Sequence, residues 1–60
     1  MSYFALEFES ANQSVLHSFE DAIQRQQFFA DKGQHSFPIS PVAAGMLIAK
    51  DEDLRVVLHA

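Results

Sequence analysis

The fold is decided by residues 14–33, SVLHSFEDAIQRQQFFADKG, which predict the one substantial helix of the chain. Apolar side chains in this stretch recur with the i, i+3, i+4, i+7 spacing of a half-buried helix. They are Val15, Phe19, Ala22, Ile23, Phe29 and Ala30. Lys32 suits the last turn of such a helix, and Gly33 suits a left-handed cap after it.

The sequence offers several possible beginnings for this helix. Ser10, Asn12 and Ser14 are each acceptable N-caps. Ser18 is another, because Ser18-Phe19-Glu20-Asp21 has the form of a capping box, and residues 15–17 would then be a short strand. The apolar periodicity runs back to residue 15 without a break. It therefore favours the longer helix.

Phe28 is the exception to the apolar pattern. At about 100° per residue it points nearly opposite the centre of the apolar stripe. His17, Asp21 and Gln24 share its row, at positions i, i+4, i+7 and i+11. An exposed aromatic side chain among polar neighbours is typical of an anchor for a protein partner, although lone exposed apolar residues are also common. We predict these four residues as the partner-binding row.

Length and composition limit the possible functions. The chain has 60 residues, so residues 1–60 are predicted to form a single small domain. A domain of this size buries only roughly 60% of the surface of its unfolded chain, and small folds often compensate by disulfides, metals or self-association. Cysteine is absent from the sequence. Self-association into a homodimer is therefore expected.

Charge and hydropathy argue against two further classes. The net charge is −4, with four basic residues scattered along the chain, whereas nucleic-acid binding depends on phosphate neutralisation by Lys and Arg. No apolar run approaches the roughly 20 residues that span a bilayer. The lack of cysteine fits a reducing compartment. We expect a cytoplasmic protein that binds neither membranes nor nucleic acid.

The segments on either side of the helix suggest strands. Residues 3–9, YFALEFE, alternate between apolar and mixed positions and predict a half-buried strand. Pro38 and Pro41 restrict residues 34–41 to an edge strand or a loop.

The C-terminal third has two interpretations. One is a hairpin, with strands at 46–50 and 54–59 and a turn at 51–53. The other begins with a second helix, for which Ser40 is the N-cap and Pro41 the first residue, while Gly45 costs about 1 kcal/mol in its interior. The β-branched residues near the C-terminus favour the hairpin. The predicted fold class is α+β: a small single-layer antiparallel or mixed sheet of order βαββ with one amphipathic helix packed on one face.

No motif in the sequence specifies a chemistry. His17, His35 and His59 are candidate metal ligands together with a carboxylate, but their spacing matches no known ligand pattern. The six serines lie outside any nucleophile elbow, and two glycines do not build a phosphate-binding loop. We therefore predict no catalytic residues, no metal and no cofactor, and we do not expect an enzyme.

The sequence favours a small non-catalytic interaction protein that binds a larger protein partner. It would be a regulator, inhibitor or adaptor of the compact kind that bacteria and phages encode. The alternative is a metal- or small-ligand-binding dimer that uses His17, His35 and His59. A nucleic-acid-binding regulator is a lesser alternative, because a dimer would double the few basic residues.

Overall fold

The computed structural model describes residues 2–32, 35–51 and 53–59. Within them, four strands form one mixed sheet with two helices, which confirms the predicted α+β class. The elements are, in chain order, β1 (Tyr3–Ser10), β2 (Gln13–Phe19), α1 (Ala22–Lys32), β3 (Ser36–Ile39), α2 (Pro41–Lys50) and β4 (Arg55–His59). Among the described residues, neither helix has the length and apolar character that a membrane crossing requires.

The strand order in the sheet is β3-β1-β2-β4. β1 pairs antiparallel with both β2 and β3, whereas β2 and β4 are parallel. The βαββ order predicted from the sequence has three strands and one helix. The structure has one more strand, β2, and one more helix. The strand predicted at 3–9 is confirmed, and Pro38 lies in an edge strand, where a missing backbone donor is tolerated.

The prediction of a helix from Ser14 is wrong, because residues 13–19 form β2. Val15, Leu16 and His17 are consecutive and all buried. A strand between two neighbours, with a helix on each face, buries both of its sides, so its sequence does not alternate between apolar and polar residues. The alternative with a short strand at 15–17 is right about the strand, but its helix start at Ser18 is wrong, because Ser18 lies in β2.

α1 begins at Ala22, after all of the predicted caps, the last of which is Ser18. Asp21 Oδ1 accepts a hydrogen bond from the backbone N–H of Gln24 at 2.8 Å, and Gln24 Oε1 accepts one from the N–H of Glu20 at 3.2 Å. These reciprocal bonds satisfy donors that a helix beginning leaves without partners. Ser18, predicted as a cap, lies in β2. Lys32 occupies the last turn as predicted, and Gly33 lies outside the described residues.

The two faces of the sheet carry different helices. The α1 face presents Tyr3, Ala5, Glu7, Val15, His17, Phe19, Val57 and His59. The α2 face presents Phe4, Leu6, Phe8, Leu16, Phe37, Ile39, Val56 and Leu58. The helix at the centre of the chain, α1, therefore does not cover the face of Phe4, Leu6 and Phe8, which α2 covers.

The side of α1 that contacts the sheet also differs from the prediction. Phe28 packs on the α1 face, and the guanidinium of Arg25 lies 5.4 Å from the centre of the Tyr3 ring. Arg25 Nη1 also donates to the Phe4 carbonyl oxygen at 3.3 Å. Ile23, placed on the buried stripe by the periodicity, is 66% exposed. The predicted stripe was misaligned because it included residues that belong to β2.

The second helix replaces the predicted strand at 46–50. Ser40 Oγ accepts from the N–H of Ala43 at 3.1 Å, and Pro41 is the first helical residue. Proline has no N–H to leave unsatisfied there, so this start is favourable. The hairpin interpretation is therefore wrong in its first strand and correct in its second, which is β4. The turn between α2 and β4 has Asp51 Oδ1 accepting from the N–H of Asp53 at 3.0 Å, and residue 52 lies outside the described part.

The core lies between α2 and the middle strands. Its buried members are Leu6, Leu16 and Ala44. Four partly buried apolar residues surround them: Phe4, Ile39, Leu47 and Leu54. Because Ala44 is small, α2 can approach the sheet closely.

Candidate functional site

The candidate site is a groove between α1 and the part of the α1 face nearest to β4. Its volume is about 590 Å³, and it is open to solvent. The strand order explains its position: α1 packs over β1, β2 and β3, so the α1 face of the edge strand β4 stays open.

A hydrogen-bonded chain of three titratable side chains forms the floor of this groove. His17 Nε2 lies 2.8 Å from Glu7 Oε1, and His17 Nδ1 lies 2.9 Å from His59 Nε2. Glu7 and His17 come from paired strands β1 and β2, and His59 comes from β4 on the far side of β2. We call these three residues the Glu7–His17–His59 relay.

The positions of the protons in the relay follow from the Glu7 carboxylate at one end of it. An ionised Glu7 carboxylate is only an acceptor, so His17 Nε2 carries the proton between them. In a neutral His17, Nδ1 is then an acceptor, and His59 Nε2 must be the donor to it. This tautomer leaves His59 Nδ1 with a lone pair. Within the described part of the chain, Nδ1 has no hydrogen-bond partner.

The relay is packed against aromatic rings. The centre of the Phe28 ring lies 4.4 Å from that of His17 and 5.4 Å from that of Phe19. The Phe19 and His59 rings stack with centres 4.5 Å apart and an angle of 12° between their planes. His17 is only 7% exposed. These rings hold both imidazoles in fixed orientations and shield His17 from water.

The surroundings of His59 favour its neutral form. Partial burial, the nearby His17 and the positive charge of Lys32, in that order, lower the pKa of His59 from its usual 6.5. Burial removes water that would stabilise an imidazolium, and neighbouring positive charge repels one. His59 is thus arranged as a neutral base whose Nδ1 can accept a proton.

The mouth of the groove carries both signs of charge. Lys32 and Asp31 come from the last turn of α1. Arg55 and Glu9 lie on neighbouring parts of the sheet, with Arg55 Nη1 3.8 Å from Glu9 Oε1. That pair is exposed and long, so it contributes little to stability.

The partner-binding row predicted from the sequence is not one exposed row. His17 is buried in β2, and Phe28 is half-buried against it. Asp21 and Gln24 form the cap of α1. The structure therefore brings His17 and Phe28 together, but in the groove and not on an outer helix face. That these four residues contact a partner stays a prediction.

The three histidines do not meet. His17 and His59 are in contact, whereas His35 is exposed and precedes β3, the opposite edge strand. Within the described ranges, no group of three or more histidine or carboxylate side chains has an arrangement that could hold a metal ion. Sequence reasoning missed Glu7 and Phe19 as site residues. The alternation in β1 places Glu7 on one face with Ala5, but nothing in the sequence shows that this face is covered.

Comparison of the chain with protein-family models, with curated protein sequences and with solved structures gives no match.

Proposed function

We propose that this chain is a small non-catalytic interaction protein, a regulator, inhibitor or adaptor, that forms a homodimer and binds a larger protein partner. A cytoplasmic location is part of the proposal, because a cysteine-free chain is suited to a reducing compartment. The proposal is supported by the uneven distribution of exposed apolar side chains over the surface.

Seven of the eight large apolar side chains exposed in the described residues lie on the α2 side of the molecule. We call them the α2-side surface: Phe8, Phe37, Val42, Met46, Ile48, Val56 and Leu58. The eighth, Ile23, is on α1. Single exposed apolar residues are common, but clustered ones mark interaction surfaces.

The composition of α2 gives the physical reason for this surface. Its sequence is PVAAGMLIAK, so its one charged residue is the terminal Lys50. A helix that is apolar on all sides is normally covered on all sides. Here only Ala44 is buried, while Val42 is 74% and Met46 54% exposed. A second copy of the chain, packed on α2, would remove this surface from water.

The edge strand β4 extends the same surface. Leu58 is 79% and Val56 43% exposed on the α2 face. The other edge strand, β3, contains Pro38, a residue that natural sheets use to block edge-to-edge pairing. β4 contains no proline. Association is therefore favoured on the β4 side of the sheet.

The proposed absence of catalysis is supported by what lines the groove. Among the described lining residues, none carries a hydroxyl or thiol that the Glu7–His17–His59 relay could activate as a nucleophile. Nucleophilic catalysis by a base needs such a group within hydrogen-bond reach.

The test of the interaction surface is sedimentation equilibrium over a wide concentration range. We expect the wild type to pass from monomer to dimer and Met46→Glu to stay monomeric, because dimerisation would bury the new charge. Ile23→Glu is the matched control: it also places a charge at an exposed apolar position of a helix, but on α1. It is expected to dimerise like the wild type.

Partner binding is tested separately by capture from native lysate with the same variants. In the dimer the α1 side stays exposed, so Ile23→Glu is expected to lose captured protein while it keeps the dimer. A wild type that is monomeric at every concentration, and that captures the same proteins as both variants, contradicts the proposal.

A further inference from the structure

β4 presents the backbone of an open sheet edge. In the strand order β3-β1-β2-β4, β4 pairs with β2 on one side, and its other side has no neighbouring strand in the described part of the chain. Backbone N–H and C=O groups on such a side can pair with a strand of another chain. Natural proteins often protect an edge with proline or lysine, and β4 contains neither.

The symmetry of a dimer determines how two copies of this edge can pair. A two-fold axis perpendicular to the sheet reverses the direction of the strand and keeps like faces together, so the pairing is antiparallel. Full overlap of the strand, which runs from Arg55 to His59, places the axis at Val57. Val57 is then opposite its own copy, Val56 is opposite Leu58, and Arg55 is opposite His59.

The apolar residues of the edge are complementary to their own copies in this register. On the α2 face, Val56 is 43% and Leu58 79% exposed. Two cross-strand pairs of Val56 with Leu58 would form one apolar strip across the axis. α2 packs on Leu6 and Leu16 of the neighbouring strands, so the α2 helices of both copies would flank this strip. The strip would join the α2-side surfaces of the two copies.

The polar residues of the edge are complementary as well. The Arg55 guanidinium is only a donor, and its side chain is 71% exposed, with the nearest Glu9 oxygen 3.8 Å away. His59 Nδ1 is an acceptor that has no hydrogen-bond partner in the described part of the chain. Partial burial lowers the pKa of His59 and favours its neutral form. Pairing would therefore bring a donor to an acceptor, without placing like charges opposite each other.

We propose that two copies of this chain join edge to edge through β4, antiparallel and centred on Val57, so that their four-stranded sheets form one continuous sheet. This inference rests on the proposed function, since it specifies how the proposed homodimer is built. A strand of another protein would not require β4 to be complementary to its own reversed sequence. A second copy does require it, and each copy then supplies Arg55 to the groove of the other.

The experiment introduces single cysteines into the full chain and follows disulfide formation. The chain has no cysteine of its own, so each introduced thiol is unique. Opposite residues of an antiparallel pair have Cα atoms about 4.5–5.5 Å apart, and a disulfide requires about 4.4–6.8 Å. Val57→Cys is expected to form a covalent dimer more than about tenfold faster than Ile23→Cys, because its two thiols meet within one complex. Ile23 is 66% exposed on α1, so Ile23→Cys is the control for random collision.

A mixture of two variants tests the register. Val56→Cys and Leu58→Cys are each expected to cross-link slowly alone, since each residue is diagonal to its own copy, with Cα atoms about 7–8 Å apart. When they are mixed, the disulfide between positions 56 and 58 is expected to predominate, and mass spectrometry identifies it.

The wild type provides a readout that needs no substitution. Dimerisation would bring Arg55 of the second copy to His59, so the NMR signals of the His59 ring are expected to shift with protein concentration. His35 precedes β3 at the opposite edge, and its ring signals are expected to stay in place. His59 signals that do not change while the chain dimerises would overturn the proposed pairing.

Sedimentation equilibrium distinguishes failure of this inference from failure of the proposed function. If the chain dimerises but Val57→Cys cross-links no faster than Ile23→Cys, the edge pairing is wrong and the proposed homodimer remains. If the chain is monomeric at every concentration, both are wrong. Faster cross-linking of Val56→Cys with its own copy than with Leu58→Cys would overturn the register centred on Val57.

Discussion

His17 Nδ1 lies 2.9 Å from His59 Nε2, although 42 residues separate the two histidines in the chain. The contact follows from the parallel pairing of β2 with β4, in which His17 is opposite Val57 and Phe19 is opposite His59. Because strand side chains alternate between faces, both imidazoles project from the α1 face. The hydrogen bond therefore ties the C-terminal strand to the centre of the sheet.

The first prediction concerns the pH dependence of stability. The pKa of His59 is lowered in the folded protein from the 6.5 of an unperturbed histidine, which the unfolded chain retains. Between these two values the unfolded chain binds more protons, so the contribution of His59 to the free energy of unfolding is fully present above pH 6.5. It is lost as pH falls through the folded pKa. Urea unfolding between pH 8 and pH 5 measures this loss.

Two histidine variants isolate the effect. His59→Gln is expected to have a flatter dependence on pH in this window, because the titrating group is gone. His35→Gln removes an exposed histidine outside the groove and is expected to behave like the wild type. A wild-type stability that rises as the pH is lowered would contradict the prediction, since it would mean that the relay takes up a proton on folding.

The second prediction reverses the role that the sequence suggested for Phe28. Its ring contacts His17 and Phe19, so a charge there would be placed against a buried imidazole and an apolar ring. Phe28→Asp is expected to lower the free energy of unfolding by about 2–4 kcal/mol, as for loss of a large side chain from a packed site. Chemical denaturation followed by circular dichroism measures the change.

Ile23→Asp is the matched control for Phe28. It introduces the same carboxylate on the same helix, at a side chain that is 66% exposed, and is expected to change stability by less than about 0.5 kcal/mol. Equal effects of the two substitutions would show that Phe28 is no better packed than Ile23.

The sequence predicted the fold class because strong local signals were read correctly. Residues 3–9 alternate with period two, and in β1 one face of that alternation carries Leu6 of the core. The start of α2 at Ser40 and Pro41 was also visible as an alternative. The strand propensity of Val56 and Val57 favours the hairpin only for residues near them and does not reach back to residues 46–50. Local propensity does not include the burial of Ala44 and Leu47 on the sheet, which favours the helix.

The error at β2 has a different cause. Val15, Phe19, Ala22 and Ile23 have the spacing of a helix, but Val15, His17 and Phe19 also alternate as in a strand. Leu16, fully buried on the opposite face, conceals that alternation. The relay was not predictable for the same reason: it requires the register between β2 and β4, and no local pattern specifies pairing between distant strands.

The third prediction concerns Gly45 in α2. A Cβ built at this position meets no atom within 4 Å, and the residue is exposed. Gly45→Ala is therefore expected to raise the free energy of unfolding by about 0.5–1 kcal/mol, because alanine loses less backbone entropy in a helix. The measurement is urea unfolding at low protein concentration, where self-association does not contribute. A destabilised variant would show that α2 is not helical at this residue in solution.

The fourth prediction compares two glutamates on the same strand and the same side of the sheet. The Glu7 side chain is 25% exposed and its carboxylate accepts from the buried His17 at 2.8 Å, whereas the Glu9 side chain is 44% exposed and its carboxylate lies 3.8 Å from Arg55. Hydrogen bonds to charged groups contribute about 1.5–3 kcal/mol, and exposed ion pairs about 0–1 kcal/mol. Glu7→Gln keeps a neutral acceptor, so it is expected to cost about 1–2 kcal/mol. Glu9→Gln is expected to cost less than about 0.5 kcal/mol.

Both variants are measured by urea unfolding at pH 7.5, where the carboxylates are ionised. The NMR signals of the His59 ring provide a second readout. The Glu7 carboxylate favours the His17 tautomer that carries its proton on Nε2, and His59 is hydrogen-bonded to the other nitrogen of that ring. The His59 signals are therefore expected to shift in Glu7→Gln and to stay in place in Glu9→Gln. If Glu7→Gln and Glu9→Gln have the same stability and the same His59 signals, Glu7 does not fix the orientation of the two imidazoles.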